Sequence, residues 1–207
     1  MNSLITIGIN IVPALIQNPT VKVRKIILKN NLLPDSGLKL KFETEKRFSG
    51  WIDFYISTNN RSLKIGISNV FSPFRGLVYF LFGITTDRLP NFWEIDEEGI
   101  CKQFFVYAVD NHNLRLIILN DCFIHKNFTN KDLDKVVIDT IIPKKDLLKE
   151  FFTAFENFIK NDFEEKRWRI SSSKCKEDDL TVYFKILQQI FINKYHIDRL
   201  DTIHFYS

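Results

Sequence analysis

Two carboxylates in the segment 93–99 have a spacing that could support chemistry. The segment is Trp-Glu-Ile-Asp-Glu-Glu-Gly, and on a strand Glu94 and Asp96 would project to the same face, about 7 Å apart. Such a pair could hold a divalent cation or share acid–base work. Lys102 lies close in sequence, but the Glu-x-Lys spacing typical of metal-dependent nucleases is missing from this strand. A solvent-facing strand that ends in an acidic turn is the simpler explanation.

Other catalytic and metal-binding patterns are incomplete. Cys122 and His125, with His112 upstream, are the candidate zinc ligands, but a zinc site needs three or four ligands and no second pair completes this one. No serine or cysteine lies in a glycine-flanked elbow, and no P-loop or dinucleotide-binding glycine pattern occurs. We therefore predict no catalytic residue, no metal and no cofactor.

Aromatic and charged side chains on the predicted strands could instead form a binding surface. Along 51–57, Ile52, Phe54 and Ile56 point one way, so the residues between them point the other way. Trp, Tyr and Arg carry much of the binding energy in protein interfaces. The candidate partner-binding residues are Trp51, Asp53, Tyr55, Glu94, Asp96 and Arg115. The alternative is that the phenylalanine-rich C-terminal helices cover Trp51 and Tyr55.

Hydrophobic periodicity predicts the elements that would position these residues. Strands are expected over 4–9, 21–29, 38–43, 51–57, 63–67, 92–96, 101–109, 113–120 and 136–138. An almost wholly apolar helix is expected over 72–83, with Ser72 as its N-cap, Pro73 in its first turn and Gly83 at its end. Amphipathic helices are expected over 143–161, with Glu156 on the polar side, and over 177–193.

The order of these elements predicts the fold class. Strands dominate residues 1–141 and helices dominate 142–207, which indicates an α+β protein rather than alternating β/α units. We expect a single domain over 1–207: a curved, mainly antiparallel sheet that holds the 72–83 helix, with the two C-terminal helices packed on it. Strands 101–109 and 113–120 carry apolar residues on both faces, so we expect them to be covered on two sides.

Composition restricts the class of protein. The 207 residues are 45% hydrophobic and include 20 Phe, enough for a sizeable core. A formal charge of +4, with both signs mixed along the chain, does not favour nucleic acid as the partner. A basic strand face could be built from Lys22, Arg24, Lys25, Lys39 and Lys41, but Glu43 and Glu45 interrupt it. Without a disulfide framework, a signal peptide or a membrane-spanning segment, we expect a soluble, cytoplasmic protein.

One stretch resembles a known kind of protein. The run Gly50-Trp51-Ile52-Asp53-Phe54, the hairpin return at 63–68, the capped apolar helix and the segment 92–99 are similar to a bacterial immunity-type domain. The likeness covers about residues 50–120. It implies a non-catalytic cytoplasmic protein that binds and neutralises a cognate toxin of a polymorphic or contact-dependent system. The alternative is a divalent-metal-dependent enzyme or a nucleic-acid-associated protein that uses Glu94 and Asp96.

Overall fold

The first half of the fold is a small antiparallel sheet. A computed structural model describes residues 37–120, 135–168 and 180–195, with side chains of the last segment up to Gln189. The strands predicted at 4–9 and 21–29 lie outside these residues. The sheet contains, in this order, β1 (Lys39–Thr44), β2 (Trp51–Ser57) and β3 (Ser62–Ser68). Its strands were predicted to within one residue, because buried and exposed side chains alternate along each of them.

A second antiparallel sheet follows the first helix. Its strands, in spatial order, are β4 (Asn91–Asp96), β5 (Cys101–Ala108), β6 (Asn113–Asn120) and β7 (Val136–Pro143). Both faces of β5 and β6 are buried, as predicted. The last strand is longer than the predicted 136–138, because its alternation continues through Thr140 and Ile142, which are both buried.

The α+β class is confirmed, and the strands are divided between two sheets where the sequence suggested one. At the junction the backbone N–H of Gly66 donates to the Glu97 carboxylate at 2.7 Å. Glu97 also pairs with Lys102 at 2.6 Å. The β4–β5 turn is therefore attached to β3 through a side chain rather than through a backbone ladder.

Helix α1 (Phe74–Thr85) is the predicted apolar helix, shifted by two residues. Pro73 occupies the N-cap position without a side-chain cap, so the predicted cap at Ser72 is wrong. Gly83 lies inside the helix rather than at its end. A Cβ at Gly83 would lie 2.1 Å from Nδ2 of Asn91, which donates to the Phe80 carbonyl at 2.8 Å. The glycine therefore leaves room for the Asn91 side chain and does not end the helix.

Three helices complete the described chain. They are α2 (Lys144–Asn161), the short α3 (Glu165–Trp168) and α4 (Leu180–Tyr195). The apolar face predicted for α2 is confirmed, since Leu148, Phe152 and Phe155 are buried. Glu156 was assigned to the polar side, but it is buried and pairs with Lys160 at 2.8 Å. Residues 177–179 of the last predicted helix lie outside the described residues.

Aromatic rings join both sheets to the helices in one core. Phe42 stacks on Phe54 with centroids 4.4 Å apart and meets Phe155 of α2 at 5.7 Å. The buried Trp93 lies 5.9 Å from Phe54 and donates its indole N–H to the Pro73 carbonyl at 2.9 Å. The core therefore occupies the inner side of both sheets.

Within the described residues, no helix has the length and apolar character needed to cross a membrane.

Candidate functional site

The outer face of the first sheet carries the first three candidate residues. Because Ile52, Phe54 and Ile56 face the core, the side chains of Trp51, Asp53 and Tyr55 face outward and are partly exposed. Helix α2 packs on the opposite, inner face, where Phe155 contacts Phe42. Helix α2 therefore does not cover Trp51 or Tyr55, while α3 lies beside the start of β2, where the Gly50 N–H donates to the Arg167 carbonyl at 2.7 Å.

Tyr55 and Asp53 are held in place by Lys64 of the neighbouring strand. Tyr55 lies directly opposite Lys64 in the β2–β3 register. The Lys64 ammonium lies 2.8 Å from Asp53 and 5.7 Å from the centre of the Tyr55 ring. Asp53, through its hydrogen bond and charge, raises the pKa of Lys64, while desolvation and the same carboxylate raise the pKa of Tyr55. This lysine thus fixes an aromatic ring and a carboxylate at one place on the surface.

Trp51 is held against the backbone of β3. Gly66 lies opposite Asp53, next to Trp51 on the same face. A Cβ at Gly66 would lie 3.2 Å from Cζ3 of Trp51, which is tighter than ordinary van der Waals contact. The absence of a side chain therefore lets the indole ring lie on the sheet. A large aromatic side chain held in this way loses little conformational entropy when a partner binds.

A further ion pair extends the face beyond the end of β1. Nε and Nη2 of Arg47 lie 3.1 Å from the two carboxylate oxygens of Glu45, in bidentate geometry. The Lys64 ammonium lies 3.9 Å from Glu45, so this pair is continuous with the Asp53 pair. The hydrogen bonds from Arg47 lower the pKa of Glu45 from its ordinary value of 4.5 to about 2.

The Glu45–Arg47 pair predicts a dependence of stability on pH. Because folding lowers the pKa of Glu45, the pair stabilises the folded protein above about pH 4.5, and this contribution is lost as the pH falls towards 2. Arg47→Gln should therefore melt at a lower temperature than the wild type at neutral pH, and the gap should narrow through this acid range. Thermal unfolding across the range measures the gap. A gap that stays constant with pH would contradict the assignment.

The structure separates the other three candidates from this face, because they lie on the second sheet. Glu94 and Asp96 share one face of β4, since Trp93 and Ile95 are buried. Each carboxylate has a local partner: Glu94 accepts from Gln103 at 2.5 Å, and Asp96 accepts from the Gly99 N–H at 2.9 Å. Across the described residues, no group of three or more His, Cys, Asp or Glu side chains could hold a metal ion.

Arg115 is buried and forms an ion pair with the partly exposed Asp139. Its Nε and Nη2 donate to the two oxygens of Asp139 at 2.7 and 2.6 Å. Only 7% of its side chain is exposed. The guanidinium therefore connects β6 to β7.

The candidate zinc ligands are only partly described. Cys122 and His125 lie outside the described residues. His112 is exposed in the β5–β6 turn, where its backbone N–H donates to Asp110 at 2.7 Å.

Lys64 and Glu45, which organise the outer face, were not among the residues predicted from the sequence. The outward direction of Lys64 follows from the sequence, because Lys64 alternates with the inward Leu63 and Ile65. Its partner could not be assigned without the register of β2 on β3. The pairing of Glu45 with Arg47 and Lys64 was not predicted from the sequence.

Comparison with protein-family models gives no match, and comparisons with curated proteins and with solved structures give none either.

Proposed function

We propose that this chain is a non-catalytic immunity-type protein that binds its cognate bacterial toxin in the cytoplasm and neutralises it. The observation that carries the proposal is the outer face of β1–β3. There Trp51 lies on Gly66 and Tyr55 is held by the pair of Asp53 with Lys64. Partly exposed aromatic residues held by their neighbours are typical of interface hot spots.

The geometry supports stoichiometric binding as the mode of action. The strands beneath the face bury Phe54 and its neighbours in the core, so the docking surface lies on a rigid element. Little of the binding energy is then lost in ordering the surface. Neutralisation follows if the bound protein covers a part of the toxin that the toxin needs for its activity.

The resemblance of residues 50–120 to immunity-type domains supports the choice of a toxin as the partner. The segments that carry it form β2, β3, α1 and the region from β4 to β6. The proposed docking residues Trp51, Asp53 and Tyr55 lie on the first of these strands.

Co-expression with the product of the adjacent gene tests this function. We expect the two proteins to co-purify and to elute together from a sizing column in a fixed stoichiometry. Elution of this protein at the same volume with and without the gene product, together with no heat of binding, would contradict the proposal for that partner.

A further inference from the structure

Charges on the outer face of β1–β3 are arranged in two layers. The cationic side chains reach solvent: Lys41 is 65% exposed, Arg47 72% and Lys64 47%. Each carboxylate partner is less exposed than its cation: Glu43 is 37% exposed, Glu45 10% and Asp53 14%. The outer face carries equal numbers of positive and negative side chains. Because the positive ones are more exposed, the face presents mainly cationic groups to solvent.

Each exposed cation keeps hydrogen-bonding capacity for a partner. An ammonium group has three donors and a guanidinium has five. Lys64 contacts Asp53 at 2.8 Å, and Arg47 uses Nε and Nη2 on Glu45. The pairs hold these cationic groups in place beside Trp51 and Tyr55, while their outward donors face solvent.

We propose that this face recognises an acidic protein surface, with carboxylates of the partner docking on Lys41, Arg47 and Lys64 around the aromatic contacts. This inference rests on the proposed function and specifies the chemistry of the partner. Charge complementarity of this kind sets association rate and orientation more than it sets total affinity.

The same charges favour a protein over a nucleic acid. Lys41 pairs with Glu43, Lys64 with Asp53 and Arg47 with Glu45, so three cations face three carboxylates. A nucleic acid gains affinity from each phosphate that a Lys or Arg neutralises, and the carboxylate beside each of these cations would repel a phosphate. A protein surface can place one carboxylate on each of the three cations. It can place neutral groups next to Glu43, Glu45 and Asp53.

Peptide binding at low salt tests the inference. The probes are a fluorescein-labelled twelve-residue peptide of alternating Glu and Tyr, the same peptide with Lys in place of Glu, and a twelve-nucleotide single-stranded DNA. Fluorescence anisotropy should show binding of the acidic peptide that weakens as salt rises. The double variant Lys41→Gln/Lys64→Gln should bind it about fivefold or more weakly. Lys149→Gln, an exposed site on α2, should leave binding unchanged.

Contrary outcomes separate this inference from the proposed function. Failure of the acidic peptide to bind, equal binding of the lysine peptide, or tighter binding of the DNA would overturn the acidic-partner assignment. A product of the adjacent gene that binds through Trp51 with no sensitivity to salt or to the double variant would also overturn it, while the proposed function would stand. Thermal unfolding of each variant confirms that a loss of binding is not a loss of fold.

Discussion

Phe54→Ala is expected to lower the free energy of unfolding by about 3–5 kcal/mol. Phe54 is fully buried and stacks on Phe42 with ring centroids 4.4 Å apart. It also contacts Trp93 of the second sheet at 5.9 Å and Phe151 of α2 at 6.2 Å. Because the site is enclosed by three different elements, the space left by the ring cannot be filled by movement of one of them.

Chemical denaturation measures this effect, and Phe92→Ala is the matched control. Phe92 is also a phenylalanine in a strand, but it is 41% exposed and contacts Phe105 at 6.1 Å. Its replacement should cost about 1 kcal/mol or less. Equal losses in the two variants would contradict the placement of Phe54 at the centre of a core shared by both sheets and α2.

If the partner is the proposed toxin, Trp51→Ala is expected to reduce affinity for it about thirtyfold or more, which corresponds to about 2 kcal/mol or more. The indole ring is partly exposed and lies on Gly66, so its removal takes away contact area that is already ordered. The ring is outside the core formed by Ile52 and Phe54, so the melting temperature should fall much less than in Phe54→Ala.

Isothermal titration with the product of the adjacent gene gives the affinities. Tyr79→Ala is the control, because Tyr79 is an aromatic residue of α1 with 43% exposure, away from the outer face. Its affinity should match that of the wild type. If Trp51→Ala binds as tightly as Tyr79→Ala, the gene product does not bind through the outer face.

The strands could be predicted because their signal is local. Alternation along 51–57 gave both the bounds of β2 and the outward direction of Trp51, Asp53 and Tyr55. The ends of α1 could not be predicted in the same way. Gly83 has the residue type of a helix end, but it serves the contact with Asn91, which a single helix does not reveal.

Only the outward direction of the candidate site residues could be predicted, and not their partners. Side-chain direction is set within one strand, whereas the partner of each side chain depends on strand register. Lys64 beside Tyr55 follows only from the β2–β3 pairing, and Asp139 is 24 residues from Arg115 in sequence. Arg115 was therefore predicted to be a surface residue, because the sequence does not show that Asp139 lies beside it.

Growth rescue tests most directly the claim that the outer face of β1–β3 neutralises the toxin. Cells that express the product of the adjacent gene are supplied with wild-type protein, with Trp51→Ala/Tyr55→Ala, or with Tyr79→Ala, at matched levels of folded protein. We expect growth with the wild type and with Tyr79→Ala, and arrest with the double variant. Full rescue by the double variant would contradict the claim.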